Sequence, residues 1–263
     1  MAVRREVNRQ LTGDPDQLFI ARFLERLSAP AERALSVGCG TGELERGVAN
    51  LGAARQVEGV DVSAASLAEA RRQAEVEGLA DRVTYHQASA GDWLGRCAPG
   101  SYGLIFFHGS LHHIEDLEVV LAGAARALAG ASPGLLYVDE YVGPSRDEWR
   151  DEHLAAARRL FERIPKRLRR TPAVWPPIAM EDPTEMVRSS EIPELLRERF
   201  EVLEEHPYGG PALLPLVSAI RGSALEHPEV APVLREALTA DPALSFYSIF
   251  VARPRAMKKP TGP

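Results

Sequence analysis

Residues 34–44 read Ala-Leu-Ser-Val-Gly-Cys-Gly-Thr-Gly-Glu-Leu, an apolar run that ends in three glycines at alternate positions. A helical pattern starts directly afterwards, because Leu44, Val48 and Leu51 repeat at the spacing of one helix face. The stretch therefore predicts a strand, a tight turn and a helix N-terminus, where backbone N–H groups converge on a negative or strongly polar ligand. Glycines allow positive φ and a close approach of the ligand to the main chain. The alternative, an ordinary strand-to-helix turn, needs one glycine at most.

Composition places the chain among globular proteins with a sizeable core. Its 263 residues are 45% hydrophobic and 26% charged, which suits one α/β domain with insertions. The net charge of −6 argues against bulk electrostatic binding to nucleic acid, so we expect no DNA partner. The two cysteines, Cys39 and Cys97, predict neither a disulfide framework nor a metal cluster, and we predict no metal site.

Targeting signals are not evident in the sequence. The first ten residues, MAVRREVNRQ, lack the apolar centre of a signal peptide. The longest apolar stretch, 119–138, is interrupted by Arg126 and by Ser132-Pro133-Gly134, so it does not predict a membrane span. We expect a soluble, cytoplasmic protein that does not bind membranes.

Strand and helix patterns alternate from residue 34 to residue 141. After the first strand, further strands are predicted at 56–62, 82–87, 102–107 and 135–141, with helical stripes between them. This alternation predicts an α/β fold with a parallel sheet and right-handed crossovers.

The remaining segments are assigned around this core. Residues 1–30 form an N-terminal leader, loose to about residue 13 and helical afterwards, and residues 31–144 form the core. Residues 145–190 are predicted as a helical lid or substrate insertion, charged at first and proline-rich later. Residues 191–252 complete the sheet with strands at 200–205 and 245–252 and a helical insertion at 211–240. Residues 253–263 are predicted as a disordered basic tail.

An acidic residue at the end of the second strand helps to identify the ligand. Asp61 follows Gly42 by nineteen residues, and it can accept hydrogen bonds from both hydroxyls of a ribose. Ligands of open parallel sheets bind beyond the carboxyl ends of the strands. A dinucleotide and S-adenosylmethionine both fit, but the third glycine of the dinucleotide fingerprint would fall at Glu43. A carboxylate there would repel a pyrophosphate, whereas S-adenosylmethionine carries an ammonium group.

Three segments together resemble the class I S-adenosylmethionine-dependent methyltransferases. They are Val-Gly-Cys-Gly-Thr-Gly at 37–42, Gly-Val-Asp-Val-Ser at 59–63, and Phe-His-Gly-Ser-Leu-His-His-Ile at 107–114. The resemblance covers residues 30 to about 141. It implies a Rossmann-like, doubly wound, seven-stranded sheet, mostly parallel with an antiparallel last strand, and S-adenosylmethionine as the cofactor.

The resemblance also implies where the cofactor binds. The loop at 38–42 would lie along the methionine moiety, Asp61 would hold the ribose hydroxyls, and Val62 would pack on the adenine. His108, at the end of the fourth strand, would lie near the sulfonium and its methyl group. The assigned cofactor-binding residues are Gly38, Cys39, Gly40, Thr41, Gly42, Asp61, Val62, Ser89, Ala90 and His108.

Ser89 is a departure from the family. An aspartate often follows the third strand there and contacts the adenine amine, whereas this chain has Ser89 at the aligned position. The contact could come from Ser89, from the main-chain N–H of Ala90, or from Asp92.

Candidate catalytic residues lie near the carboxyl ends of the fourth and fifth strands. They are His112, His113, Glu140 and Tyr141. Positioning supplies much of the acceleration in methyl transfer, about 7–11 kcal/mol in good cases, so a general base matters only if the acceptor loses a proton. A structural alternative has one histidine capping the next helix and the other in solvent. Strand alternation places Asp139 and Tyr141 opposite Glu140.

The predicted activity is methylation of a small-molecule acceptor, through oxygen or nitrogen, on a biosynthetic metabolite or glycan precursor. Residues 158–170 contain seven basic residues and one acidic residue; they form either a solvated face or a lid that attracts an acidic acceptor. Alternatives are a noncatalytic S-adenosylmethionine-binding module and an RNA methyltransferase. A nicotinamide-dependent oxidoreductase is disfavoured by Glu43, and the sequence leaves the oligomeric state open.

Overall fold

A computed structural model describes residues 2–178, 182–239 and 244–255. Its centre is a seven-stranded sheet: β1 (Ala31–Val37), β2 (Ala54–Asp61), β3 (Val83–Gln87), β4 (Leu104–His108), β5 (Leu135–Tyr141), β6 (Phe200–Tyr208) and β7 (Tyr247–Pro254). The strand order is β3-β2-β1-β4-β5-β7-β6. The first five strands pair in parallel, and β7 runs antiparallel to both β5 and β6. The predicted fold class is confirmed.

Helices cover both faces of this sheet. They are α1 (Ala2–Thr12), α2 (Phe19–Glu25), α3 (Glu43–Asn50), α4 (Ala64–Val76), α5 (Ala90–Arg96), α6 (Leu117–Leu128), α7 (Asp151–Phe161), α8 (Ile192–Arg199), α9 (Leu213–Ala219) and α10 (Ala231–Thr239). Successive residues of β4 show the two layers, because Phe106 packs with α2, α3 and α4 while Ile105 and Phe107 pack with α5, α6 and α8.

Two helices were not predicted. Residues 2–12 form α1 rather than a loose segment, because Val3, Val7 and Leu11 repeat every four residues and contact the two hydrophobic clusters beside it. These three apolar residues are surrounded by charged and polar ones, so the helical repeat in this segment is weak. The short α5 buries Leu94 alone, which leaves no repeat to detect.

The segments outside the sheet pack on one another. Helices α7, α9 and α10 share a hydrophobic cluster of their own, to which α1 contributes. In the predicted lid at 145–190, the described residues are helical over α7 and in two short 3₁₀ turns at 166–168 and 189–191. Most of the predicted basic tail, residues 256–263, lies outside the described residues. No helix in the described ranges is both long enough and apolar enough to cross a membrane.

Basic residues of the 158–170 segment are largely engaged with nearby groups. Arg163 pairs with Glu236 and Arg167 pairs with Glu229, so two of the charges face α10 and the turn before it. Arg169 lies over the ring of Phe161. Several basic side chains of this segment are therefore paired with neighbouring groups, and two of these pairs connect it to α10 and the residues before it.

A buried hydrogen-bond network connects β1 and β2 to the elements packed beside them. Glu58 on β2 accepts hydrogen bonds from Arg33 Nε at 3.0 Å and from the Tyr102 hydroxyl at 3.0 Å. The Tyr102 hydroxyl in turn accepts from Trp93 Nε1 at 3.2 Å. These contacts join β1 and β2 to α5 and to the residues that lead into β4.

Replacing Tyr102 by phenylalanine tests this network. The Tyr102→Phe variant leaves the Trp93 N–H without its acceptor and Glu58 with one donor fewer, which should lower the free energy of unfolding by about 1–3 kcal/mol. Urea unfolding followed by circular dichroism measures the change. A shift smaller than about 0.5 kcal/mol, the usual size for a surface substitution, would contradict this account.

Candidate active site

The glycine loop between β1 and α3 needs its three glycines for two different reasons. All three have positive φ, +72° at Gly38, +53° at Gly40 and +77° at Gly42. A Cβ at Gly38 would lie 2.4 Å from Ser110 Cβ, and a Cβ at Gly42 would lie 2.2 Å from the Tyr85 hydroxyl. A Cβ at Gly40 would have no atom within 4 Å. Two glycines therefore allow close packing below the loop, and the third opens onto empty space.

Asp61 links this loop to the end of β2. One carboxylate oxygen accepts a hydrogen bond from Gly40 N at 2.9 Å, and the other accepts from Ser63 N at 2.8 Å. Each oxygen keeps a lone pair for a further donor, as the predicted contact with ribose hydroxyls requires. The next side chain, Val62, is 68% exposed beside it, where it could cover an adenine.

The neighbouring strand end carries Ser89 and Ala90 at the start of α5. Ser89 is exposed and caps the helix, its hydroxyl accepting from Asp92 N at 3.0 Å. Because β3 pairs with β2, this cap lies beside the strand end that carries Asp61. The structure brings these residues to the predicted edge, and their contact with adenine stays a prediction.

A cavity of about 820 Å³ extends from the glycine loop to helices α1, α2 and α3. This volume is within the range of small-molecule sites, about 300–1,000 Å³. Its lining is partly apolar, with polar groups that include Asn8, Glu45, His108, Asp139 and Tyr208. Cys39 and Thr41 also line it, whereas Asp61 and Val62 lie outside its lining. The cavity therefore includes the surface predicted for the methionine end of the cofactor and extends beyond it.

Glu45, on α3, has an unusual environment beside the cavity. The residue is fully buried, and among the described residues neither of its carboxylate oxygens has a hydrogen-bond partner. Burial raises its pKa to about 7, an effect that the nearby Ser36 hydroxyl only partly offsets. A buried carboxylate without a partner is costly, and a cationic group in the cavity would supply one. Glu45 lines the cavity but its oxygens are closed off from solvent, so an ammonium group such as that of S-adenosylmethionine would reach them once neighbouring side chains move.

A second group of polar side chains lies where β4 and β5 end. The Tyr208 hydroxyl donates a hydrogen bond to Asp139 Oδ1 at 2.7 Å, and His108 Nε2 lies 3.6 Å from Asp139 Oδ2. Burial raises the pKa of Asp139 above its ordinary value, against the opposing effect of His108. All three side chains line the cavity. Asp139 and Tyr208 were not predicted as site residues, although strand alternation had already placed Asp139 on the face opposite Glu140.

Two of the predicted catalytic residues, His112 and Glu140, contact each other on the side of β5 that faces away from the cavity. Glu140 is buried and accepts backbone hydrogen bonds from Ser110 at 2.8 Å, Leu111 at 2.6 Å and Tyr141 at 2.8 Å. It also pairs with His112 Nδ1. Burial alone would lower the pKa of His112, but Glu140 reverses this effect and raises it. Neither residue lines the described cavity.

The other two predicted catalytic residues also lie away from the cavity. His113 is half-buried beside Thr184, and it packs its ring against that of His112. Tyr141 is buried, and its hydroxyl donates to the Pro144 carbonyl at 3.0 Å. The roles of His113 and Tyr141 in catalysis stay predictions.

A comparison with known protein families supports a methyltransferase role for the region that contains the glycine loop and Asp61. Residues 34–130 match the family model described as "Methyltransferase domain". The matched region begins in β1, includes the loop and Asp61, and ends after α6.

Two curated relatives match similar parts of the chain. An uncharacterised protein of a Synechococcus strain is 32% identical over 158 residues, which are 52% of this chain and 37% of that protein. A ubiquinone biosynthesis O-methyltransferase of Burkholderia vietnamiensis is 33% identical over 96 residues, 36% of this chain and 39% of that enzyme. The chain thus covers about two fifths of the length of these relatives.

A solved structure extends the similarity of fold to nearly the whole chain. The geranyl diphosphate C-methyltransferase of Streptomyces coelicolor A3(2), crystallised with Mg²⁺, geranyl diphosphate and S-adenosyl-L-homocysteine, has a TM-score of 0.57. The alignment covers 94% of this chain and 88% of that one at 16% identity. At this level of identity the likeness concerns the fold.

Substitution of Gly40 tests whether the open space beside it holds the cofactor. Gly40→Ala and Gly52→Ala each place a methyl group at positive φ with no atom within 4 Å, so each should destabilise the fold by about 1 kcal/mol. Of these two glycines, Gly40 lines the cavity and Gly52 does not. Gly40→Ala should therefore weaken S-adenosylmethionine binding about 10- to 100-fold, the effect of 1–3 kcal/mol of overpacking.

Gly52→Ala serves as the matched control for backbone strain in that experiment. Isothermal titration calorimetry measures the affinity, and thermal unfolding measures the stability of both variants. Equal affinities in the two variants would place the cofactor elsewhere.

Proposed function

We propose that this chain uses S-adenosylmethionine to methylate a small molecule bound in the described cavity, a proposal supported by the match of residues 34–130 to the family model described as "Methyltransferase domain". The observation that carries the proposal is that one cavity joins the glycine loop to the polar group of His108, Asp139 and Tyr208. The first part suits a cofactor, and the second suits an acceptor that must lose a proton.

The chain's own residues account for binding of the cofactor. Glu45 would hold its ammonium group, the open main chain at Gly40 would lie along its methionine moiety, and Asp61 would hold the ribose hydroxyls. S-adenosylmethionine, when bound, supplies a methyl group activated by a sulfonium. Positioning of an acceptor against it accounts for most of the required acceleration.

Proton removal is assigned to the group at the ends of β4 and β5. The acceptor oxygen or nitrogen would form the new bond to the methyl carbon while the bond between that carbon and the sulfonium breaks, with S-adenosylhomocysteine as the leaving group. The proton of the acceptor would pass to His108 or Asp139. His108 is the more accessible of the two, with 55% of its side chain exposed against 18% for Asp139. Tyr208 donates to Asp139 and thereby fixes its orientation. This proposal differs from the sequence-based candidates His112, His113, Glu140 and Tyr141, which do not line the cavity.

The charges around the cavity favour a neutral or cationic acceptor. Four carboxylates, of Glu43, Glu45, Glu77 and Asp139, line it, together with the guanidinium groups of Arg4 and Arg46. Arg46 already pairs with Glu77 at 2.7 Å. The basic 158–170 segment, once considered for an acidic acceptor, does not contribute to the lining.

The role of Glu45 predicts a pH dependence of cofactor binding. Because the pKa of Glu45 is raised to about 7, the free chain keeps this carboxyl neutral in slightly acidic solution. Its burial then destabilises the fold progressively as pH rises from about 4.5 to 7, by about 3 kcal/mol in total. An ammonium group favours the ionised form, so S-adenosylmethionine should bind up to about tenfold more weakly for each pH unit below 7.

The Glu45→Gln variant provides the matched comparison. It should bind S-adenosylmethionine about 10- to 100-fold more weakly at pH 7.5, the loss expected for a hydrogen bond to a charged group. Its affinity should be nearly constant between about pH 5.5 and 7.5, because the titrating group is gone. Calorimetric titration across this range measures both effects. A wild-type pH profile in Glu45→Gln would contradict the assignment.

Substitution of Asp139 tests the proposed chemistry. Asp139→Asn keeps the shape of the side chain but removes the proton acceptor, and it should reduce turnover about 10²- to 10⁴-fold. Its affinity for S-adenosylmethionine should stay unchanged. The assay follows transfer of labelled methyl groups from S-adenosylmethionine into a small-molecule extract, with Asp151→Asn, an exposed site on α7, as the control.

Three outcomes of that assay would be decisive against parts of the proposal. Unchanged turnover in Asp139→Asn would remove Asp139 from the reaction. Cofactor binding by the wild type without transfer to any small-molecule extract would favour a noncatalytic binding module. Transfer to added RNA instead would assign the activity to nucleic acid.

A further inference from the structure

Three potential metal ligands lie close together near the carboxyl ends of β4 and β5, next to Glu140. His112 Nε2 lies 3.8 Å from Glu185 Oε1, and His113 Nε2 lies 3.7 Å from Glu185 Oε2. One ligand atom from each of the three residues lies within 4.8 Å of the others. These separations are too long for hydrogen bonds, but they leave room for an ion at about 2.0–2.2 Å from each ligand atom.

The opposite nitrogen of each histidine ring is held by an acceptor. His112 Nδ1 pairs with the buried Glu140 carboxylate. His113 Nδ1 lies 3.1 Å from Thr184 Oγ1, whose own hydroxyl donates to Asp182 Oδ1 at 2.6 Å. With Nδ1 as the donor, each Nε2 presents a lone pair on the side of Glu185. Metal-binding histidines are oriented in this way by carboxylates and other acceptors behind them.

We propose that His112, His113 and Glu185 bind a divalent transition-metal ion such as Zn²⁺, Co²⁺, Mn²⁺ or Fe²⁺. Two imidazoles and one carboxylate suit these ions better than Mg²⁺ or Ca²⁺, which prefer oxygen ligands. The side chains of His112, His113 and Glu185 are 14%, 35% and 21% exposed. The cluster is therefore open enough for the ion to keep a coordination position for water or for a ligand oxygen.

The charges around the cluster favour a cation. The carboxylates of Glu140, Glu185 and Asp182 lie at or next to it. The nearby guanidinium of Arg146 is directed to main-chain oxygens, donating to the Asp182 carbonyl at 3.4 Å. A divalent ion bound between the two histidines and Glu185 would offset most of the negative charge of these carboxylates.

The segment that carries Glu185 is firmly attached to the rest of the site. Val187 N donates to the His112 carbonyl at 3.0 Å, and Arg146 N donates to the Met186 carbonyl at 2.9 Å. Met186 itself has a φ of +56°, a conformation that side chains other than glycine rarely adopt. Arg188 makes a two-pronged contact with Glu118 on α6, at 2.8 and 2.7 Å. The ligand set therefore needs little rearrangement to bind an ion.

This site is separate from the proposed methyl-transfer cavity but touches the glycine loop through Ser110. Ser110 N donates to Glu140, and Ser110 Oγ donates to the Val37 carbonyl at the start of the loop at 2.7 Å. None of His112, His113 and Glu185 lines the cavity. Metal binding can consequently be measured without cofactor or acceptor, and its failure would leave the proposed methyl transfer untouched.

Titration of the metal-free, full-length chain tests the proposal. After removal of ions with a chelator, Zn²⁺ is added in a calorimeter and Co²⁺ is followed by its visible absorption. We expect one ion per chain, loss of affinity of at least about 100-fold in His113→Ala and Glu185→Gln, and a 10- to 100-fold loss in Glu140→Gln. His227→Ala is the matched control, because its side chain is also 35% exposed but lies elsewhere.

Thermal unfolding of the metal-free form shows whether each variant folds. The proposal is supported if Zn²⁺ stabilises the wild type and His227→Ala but not the ligand variants. Glu185→Gln nearly preserves side-chain volume, so it reports on coordination even if His113→Ala unfolds. Affinity weaker than about millimolar for Zn²⁺ and Co²⁺, or wild-type affinity in a folded Glu185→Gln, would show that the cluster is only a network of histidine–carboxylate contacts.

Discussion

The pleat of β5 directs two adjacent acidic side chains, those of Asp139 and Glu140, to opposite sides of the sheet. Consecutive side chains of a strand point to opposite faces, so Asp139 enters the cavity while Glu140 turns away from it. On one side, Asp139 meets Tyr208 and His108. On the other, Glu140 accepts three backbone hydrogen bonds and pairs with His112. A one-residue shift in the register of β5 would exchange the two carboxylates and disrupt both sites.

The core of this fold could be predicted from the sequence because its signals are local. The glycine loop, the strands from 34 to 141 and Asp61 are each defined by residues a few positions apart. Asp139 and Tyr208, by contrast, are 69 residues apart, and they meet because β7 pairs with both β5 and β6. Glu185 joins His112 across a segment with no strand of its own. Contacts of this kind depend on the path of the chain, which periodicity does not record.

Glu45 shows why a binding residue can be missed even within a recognised motif. In the sequence it follows the glycine loop as one of two acidic residues in the first turn of α3, where an acid is favourable for the helix. Folding turns its side chain inward, beneath Ser36, and leaves both oxygens without partners in the described parts of the chain. The resulting cost to the fold is the free energy that a cationic ligand recovers on binding. Stability and recognition are thus opposed at this one residue.

Helix α1 forms one wall of the cavity, and it is supported by α10. Helix α1 lines the cavity through Arg4, Val7, Asn8 and Leu11, and it also packs against α10. Two arginines of the 158–170 segment pair with acidic residues in and before α10, which ties that helix to the C-terminal end of α7 and the residues after it. Through α10 these ion pairs connect the segment to α1, although exposed pairs of this kind contribute little to stability. The polar groups of the lining come mainly from α1, α3 and the strand ends, so the proposed preference for an acceptor rests on these elements rather than on the basic segment.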